Sequence, residues 1–266
     1  MKKRHILLTN DDGIRSPGLW AAAATLSHLG WVTVVAPREQ SSGMGRSLPS
    51  FSDGIIRTET VTVNGQPWTV YAVGGSPAQA VLHGLLEILS HPPDLVVSGI
   101  NYGENVGLGI TVSGTVGAAM EAAAFGIPAL AVSLETPIEN HHSYSLEVDF
   151  SAAAHFAAFF ARLLLEKKMP TDVDLLKVDV PAQATPETPW QVTRLSRQDY
   201  FKPMAAPRTS WQEPGRPIYR QAPILACEPD SDVYALRVKR IVSVTPLSLD
   251  LTSRTSLSQL ESLLRE

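Results

Sequence analysis

The polarity pattern of the chain opens on a short apolar run, Ile6-Leu7-Leu8-Thr9, that ends in the polar turn Asn10-Asp11-Asp12-Gly13. A run of this length bounded by a turn predicts a buried strand. Ser16-Pro17 then supplies an N-cap and a first-turn proline, and Leu19 to Leu29 is a helical stretch that Gly30 stops. Trp31 to Ala36 is a second apolar strand. Strand, turn, helix and strand in that order begin a parallel sheet. Residues 37 to 50 are a loop rich in Ser and Gly. Val61-Thr62-Val63, Asn64-Gly65 and Trp68-Thr69-Val70-Tyr71 then predict a β-hairpin with a tight turn. Ser76-Pro77 repeats the cap-plus-proline start and opens a helix from Ala78 to Leu89, ended by Pro92-Pro93. Asp94 to Ser98 is a third parallel-type strand, and Gly99 to Val112 a long loop rich in Gly and Asn. Ser113-Gly114-Thr115 leads into an alanine-rich helix closed by Gly126. Pro128 to Leu134 is a further buried strand, and residues 148 to 167 are a helix expected to pack on the sheet.

After Pro181 the texture changes. Prolines recur at 181, 186, 189, 203, 207, 214, 217, 223 and 229, and strand-like pieces become short. This predicts an extended arm or accessory region between 182 and 240. Ile241 to Thr245 is a late strand, and Thr255 to Leu264 a terminal helix whose leucines at 257, 260, 263 and 264 give one apolar face. That face suits subunit contacts or packing on its own domain. The expected organisation is an α/β core with a mainly parallel sheet over 1–181. Residues 182–266 follow as arm, late strand and terminal helix.

Composition narrows the possibilities. The chain has 266 residues, 44% hydrophobic and 18% charged, which supplies a full core and excludes a disordered chain. A formal net charge of −4 provides no basic field for duplex nucleic acid. The single cysteine, Cys227, forms no internal disulfide or Cys-rich zinc site. No apolar run reaches membrane-span length, and the start Lys2-Lys3-Arg4-His5 leads into too short a core for a signal peptide. These features predict a cytoplasmic protein with no membrane partner.

Ligands of open parallel sheets sit at the carboxyl ends of the strands, near a switch point. The segments following the three predicted strands are Asn10-Asp11-Asp12-Gly13, the loop containing Ser41-Ser42-Gly43, and Gly99-Ile100-Asn101-Tyr102-Gly103-Glu104-Asn105. Two adjacent carboxylates at a buried strand end repel each other unless a cation neutralises them. Carboxylate, amide and hydroxyl oxygens suit Mg²⁺ or Mn²⁺ better than Zn²⁺. A turn in which Asp merely caps the next helix is the other reading. Ser113-Gly114-Thr115 either holds a phosphate on free helix N–H groups or simply caps its helix. His141-His142 reads as a surface loop, His83 and His155 as helix residues, and Glu121 as a residue of the alanine-rich helix. The chain has no Walker loop, Gly-x-Ser-x-Gly elbow or His-Glu-x-x-His motif. The glycine fingerprint of a dinucleotide site does not follow the first strand, which disfavours a dinucleotide-dependent oxidoreductase. A non-catalytic nucleotide binder is the second alternative.

The ordered set Ile6 to Gly13, Val35-Ala36-Pro37 with its Ser-Gly loop, Gly74 to Ala78, Asp94 to Asn105, Ser113 to Glu121 and Val242 to Leu247 resembles the SurE (survival protein E) family of 5′/3′-nucleotidases. The resemblance implies a Rossmann-like three-layer core and a C-terminal arm used in dimer or tetramer exchange. It implies hydrolysis of nucleoside monophosphates with one divalent metal per subunit. Its metal ligands fall on Asp11, Asp12, Ser42 and Asn101, with Ser42 placed by counting from Ala36-Pro37. Asp11 and Asp12 are also the expected catalytic residues. Asn10, Gly43, Asn105, Ser113, Gly114 and Thr115 are the expected phosphate-binding set. Three segments depart from the family pattern: Gly45-Arg46-Ser47 for Gly-His-Ser, Lys177 to Pro181 for Asn-Val-Asn-Val-Pro, and Arg240 to Ser243 for Gly-Tyr-Val-Ser. Arg46 is expected to bear on substrate preference.

Overall fold

The computed structural model describes residues 3–141, 143–223 and 227–266. The elements run β1 (Arg4–Thr9), α1 (Pro17–Leu26), β2 (Gly30–Pro37), β3 (Ile56–Val63), β4 (Gln66–Val73) and α2 (Pro77–His83). They continue as β5 (Leu95–Tyr102), α3 (Gly114–Ala124), β6 (Ala129–Leu134), α4 (Ser151–Glu166), β7 (Leu175–Val180), β8 (Trp190–Val192), β9 (Phe201–Met204) and β10 (Ile218–Gln221). The last three are α5 (Asp232–Tyr234), β11 (Val242–Leu247) and α6 (Leu257–Arg265).

Among the described residues nine strands form one sheet, ordered β3-β4-β2-β1-β5-β6-β7-β11-β8. The six strands from β4 to β7 are mutually parallel. β3 closes one edge antiparallel, and β11 runs antiparallel to β7. The strand period of two sorts the core into layers. Ile6 and Leu8 face α1 and α4, while Leu7 faces α2 and α3. Each such fully buried aliphatic contributes roughly 1.5–3 kcal/mol. β5, β6 and β7 are buried at every position, as strands covered on both faces must be. The fold is therefore the expected α/β type with a mainly parallel sheet and helices on both faces.

The hairpin turn is as expected: Asn64 and Gly65 both take positive φ, the requirement of a type I′ turn. Other elements differ from expectation. β5 runs on to Tyr102, so Asn101 lies near the end of a strand rather than within a loop, and residues 107–112 form a short 3-10 turn. β7 gives no clear sequence signal, because Lys177 and Asp179 interrupt its apolar pattern although both are fully buried. The sheet also does not stop at residue 181, since β8 and β11 belong to it. The proline-rich segment contributes a separate two-stranded ribbon, β9 with β10. α6 is exposed along its whole length, its four leucines included.

Arg240 explains one departure from the family pattern. It ends the turn after α5 with φ +56°, in the left-handed region that favours glycine. Its guanidinium holds Glu135 in a two-pronged pair, Nη1 to Oε1 at 2.9 Å and Nη2 to Oε2 at 2.6 Å. Burial pushes the Glu135 carboxyl up. Hydrogen bonds from Arg240 and the Ala182 N–H, with the Arg240 and Arg237 charges, more than offset this and hold it below the usual carboxylate range. Arg240→Gly loses the pair but relieves the backbone, whereas Arg240→Ala loses the pair and keeps the strain. Urea denaturation should find Ala about 1 kcal/mol less stable than Gly at this position. Because the Glu135 value is depressed, the ion-pair contribution is present above the ordinary carboxylate range and fades as pH falls through the lower folded value. The deficit of Arg240→Ala relative to wild type should shrink in acid.

Candidate metal centre

From β1 the chain goes to β2 on one side, and β5 lies on the other, so the connections diverge at the carboxyl ends of β1 and β5. Asp11 and Asp12 leave β1 at this crevice, and Asn101 arrives on β5 beside it. The turn is tied by Asn10. Its Nδ2 donates to the Gly13 carbonyl at 3.0 Å, and its Oδ1 accepts the Gly13 N–H at 3.2 Å. Asn10 thus shapes the turn that presents both aspartates.

Both carboxylates are almost removed from water: Asp11 is 4% and Asp12 1% exposed. Asp11 Oδ1 accepts the Thr115 hydroxyl at 2.5 Å. The main-chain N–H groups of Gly114 and Thr115 also favour its charged form. Asp12 Oδ2 accepts the Tyr102 N–H at 3.1 Å, and Oδ1 accepts Gln40 Nε2 at 3.1 Å. Desolvation nevertheless pushes the Asp11 carboxyl up, and desolvation followed by the charge of Asp11 pushes Asp12 well up. Among the described residues no lysine, arginine or histidine pairs with either group. A cation would remove this conflict.

A cleft of about 760 Å³ is lined by Asp11, Ser42, Gly43, Asn101, Asn105 and Ser113 among others. Asn101 donates its Nδ2 to the carbonyls of Tyr102 and Gly103, which leaves Oδ1 as its ligand-side atom. Ser41 and Ser42 differ in placement. Ser41 gives its N–H to the Asp11 carbonyl at 2.7 Å and its hydroxyl to the Glu39 carbonyl at 3.2 Å. Ser42 lines the cleft with Asp11 and Asn101. Two carboxylates, a hydroxyl and an amide oxygen make a donor set that fits a hard divalent cation. Among the described residues no group of three or more His, Cys, Asp or Glu side chains converges as a metal site.

The expected phosphate-side residues divide by role. Ser113 caps α3, its Oγ accepting the Val116 N–H at 3.1 Å. Gly114 allows the close approach of α3 to the turn, since a Cβ there would lie 2.7 Å from Asp11 Cβ. Thr115 acts on Asp11 rather than on the open cleft. Asn105 gives its N–H to Asp179 Oδ1 and its Nδ2 to Ser133 Oγ. Arg46 reaches Glu121 Oε2 at 2.6 Å, and neither residue lines the cleft.

Several partners lie outside the residues singled out from sequence. Gln40 bridges Asp12 and the His141 carbonyl, and the Tyr144 hydroxyl donates to the Asp12 carbonyl at 2.8 Å. The loop after β6 is thereby latched to the aspartate turn. His141, expected on a plain surface loop, lines the cleft; its neighbour His142 lies outside the described residues. Tyr102 and Glu104 stood inside the recognised Asp94–Asn105 segment, which was the one available signal for them. His83 pairs with Glu87 away from the cleft. Burial, then Glu228 and Asp232, push the Cys227 thiol up, which leaves it a poorer nucleophile.

The match to known proteins agrees with this geometry. The family model "Survival protein SurE" matches residues 6–202. The chain belongs to the SurE family. It is 44% identical to a 5′-nucleotidase SurE of Thermococcus gammatolerans, over 97% of this chain and 95% of that one. It is 42% identical to a 5′-nucleotidase SurE of Methanosarcina mazei, over 96% of each. A crystal structure of the SurE protein from Aquifex aeolicus superposes with a TM-score of 0.73 at 32% identity, covering 98% of this chain and 99% of that one.

Behind the cleft lies a charge cluster that departs from the SurE pattern. Lys177 Nζ, fully buried, contacts Asp179 Oδ2 and reaches Asp232 Oδ2 at 3.2 Å. Asp179 holds the Asn105 N–H at 2.8 Å, and Asp232 holds the Gly107 N–H at 2.9 Å. One buried cation therefore anchors both ends of the 105–107 segment through two carboxylates. Desolvation pulls the ammonium down, but Asp179 and then Asp232 outweigh it and keep Lys177 charged. Lys177→Met strands two buried carboxylates and should lower stability by about 3–5 kcal/mol. Adding Asp179→Asn to that variant should recover part of the loss in the same denaturation experiment.

Proposed function

We propose that the chain is a divalent-metal-dependent 5′-nucleotidase, hydrolysing nucleoside monophosphates to nucleoside and inorganic phosphate. One observation carries the reading. Two adjacent aspartates end β1 nearly water-free and, among the described residues, without a cationic partner, and the first of them, Asp11, lines the switch-point cleft with Ser42 and Asn101. The names of the relatives support the same reaction.

Asp11, Asp12, Ser42 and Asn101 would hold one Mg²⁺ or Mn²⁺ per chain. When bound there, such an ion supplies Lewis-acid polarisation of a phosphate oxygen and lowers the pKa of an attacking water. The protein's own part is orientation. Asn10 fixes the turn, and the Thr115 hydroxyl with the Gly114 and Thr115 N–H groups aims Asp11 and favours its charged form against desolvation. The N-terminal end of α3 lends its positive dipole to the anionic end of the cleft. Gly43, Asn105 and Ser113 border the space where the phosphate would lie. Lys177 holds the 105–107 wall of that space in place.

Self-association accompanies this reading. α6 carries four leucines on one face, and all four are exposed, from 39% at Leu260 to 77% at Leu264. We assign that face to contacts between copies of this chain, in a dimer or tetramer. A cytoplasmic setting suits the single cysteine, and among the described residues no helix is long and apolar enough to cross a membrane.

Phosphate release from nucleoside monophosphates, measured with Mn²⁺ or Mg²⁺ and with EDTA, tests the activity. EDTA should abolish it, and Asp12→Asn should lower kcat/KM by about a hundredfold or more. Activity that survives both would sink the metal assignment, and nucleotide binding with no release would make the chain a binder. Ser42→Ala should weaken metal dependence while Ser41→Ala stays near wild type; the reverse order moves the hydroxyl ligand to Ser41. Deleting residues 250–266 should reduce the mass seen by light scattering, and an unchanged mass would remove α6 from the interface.

A further inference from the structure

The cleft is chemically two-ended. One end holds Asp11, Ser42 and Asn101, and the same continuous cavity is lined at the other by Leu108, Ile138, Phe201 and Tyr219. A metal ion and a phosphate need only the first end. The second is apolar and wetted: Leu108 is 50%, Ile138 45% and Tyr219 59% exposed. Apolar surface of this kind beside a polar site marks the place of a ligand's flat, apolar part.

Phe201 and Tyr219 come from the β9–β10 ribbon, and that ribbon is fastened to the metal-side strand. The Tyr200 hydroxyl donates to Glu104 Oε1 at 2.5 Å, and Gln221 Nε2 donates to the same oxygen at 3.2 Å. Gln221 Nε2 also reaches the Tyr200 oxygen at 2.7 Å, as does Arg237 Nη1. Tyr200 immediately precedes β9 and Gln221 ends β10, and Gln221 is the register partner of Phe201. Glu104 therefore grips both strands at the rung that carries Phe201. It lies three residues after Asn101 on the same segment, so the aromatic wall is tied directly to the metal-side wall. Phe201 is held edge-on by Tyr200, with ring centroids 4.8 Å apart, and lies edge-on to His141 at 6.1 Å.

We propose that this ribbon is the nucleobase subsite, with Phe201 and Tyr219 as stacking surfaces and Glu104 as the positioning residue that holds them over the cleft. The proposal rests on the nucleotidase reading and adds the part of the substrate it discriminates. A molecule with an anion at one end and a flat π-system at the other matches both ends of the cavity. Stacking scales with ring area, so purine nucleoside monophosphates are favoured over pyrimidine ones.

The test compares AMP, UMP and base-free ribose 5-phosphate as substrates of the full chain with Mn²⁺. Wild type should show kcat/KM in the order AMP, UMP, ribose 5-phosphate. Phe201→Ala and Tyr219→Ala should each cut the ratio of AMP to ribose 5-phosphate by about tenfold, through KM rather than kcat. Tyr219 is mostly exposed, so its removal does not threaten folding. Glu104→Ala should move the ratio in the same direction, and Glu104→Gln, which keeps an acceptor for Tyr200 and Gln221, should restore it. An unchanged ratio in the Phe201→Ala/Tyr219→Ala double variant overturns the proposal. Calorimetric binding of AMP and ribose 5-phosphate in EDTA reads the subsite without turnover. AMP binding that depends on Phe201 and Tyr219 supports it even if no phosphate is released, an outcome that would instead count against the nucleotidase reading. Equal binding of AMP by wild type and the double variant counts against the subsite alone.

Discussion

The structure turns on two adjacent carboxylates that are out of water at the end of β1. Left to themselves, Asp11 and Asp12 would repel each other and be driven toward their neutral forms. The surrounding chain instead supplies oriented dipoles: the Thr115 hydroxyl and the first N–H groups of α3 for Asp11, the Tyr102 N–H and Gln40 amide for Asp12. These hydrogen bonds aim the oxygens and soften the conflict without supplying positive charge. Among the described residues no cationic side chain supplies that charge, and a divalent ion would. The nearby elements serve that end, from the Asn10 turn to the glycine that lets α3 come close.

The molecule solves a second buried-charge problem in the opposite manner. Lys177, Asp179 and Asp232 lie together a short way behind the cleft, and there the protein brings its own cation. Both carboxylates also take main-chain N–H groups from the 105–107 segment, so charge neutralisation and loop placement are a single arrangement. This cluster serves structure, since its one lysine is shared by two carboxylates that also hold main-chain N–H groups. Among the described residues Asp11 and Asp12 have no such cation. The contrast separates a structural cluster from the candidate metal centre within the same sheet.

The departures from the family pattern acquire physical reasons in the fold. Arg240 takes a glycine-type conformation and is held by its two-pronged grip on Glu135. Lys177 and Asp179 stand on one face of β7 and complete a cluster with Asp232. Arg46 pairs with Glu121 on α3, which directs its charge away from the cleft instead of toward a substrate. None of these changes touches the four candidate metal ligands. They alter what supports the site and leave its donor set intact.

Local pattern along the chain determined a great deal. The apolar runs of β1, β2 and β6, the capped starts of α2 and α3, and the Asn64-Gly65 turn are set by neighbouring residues, so periodicity and turn chemistry expose them. The ordered motifs also identified the family, and the resemblance is what proposes Asp11, Asp12, Ser42 and Asn101 as metal ligands. Tertiary structure decided what no local pattern carries. β7 is hidden from periodicity because its two charges pair with each other, and its lysine also reaches Asp232, which lies 53 residues beyond Asp179 in the numbering. The ribbon's place over the cleft depends on Glu104 meeting Tyr200 and Gln221, 96 and 117 residues away. That the Ser41 hydroxyl is bonded to the Glu39 carbonyl while Ser42 lines the cleft is likewise a matter of where the loop folds back. Strand and helix signals are written in adjacent residues, whereas the walls of a cleft are contacts between distant ones, and only the closed fold brings those together.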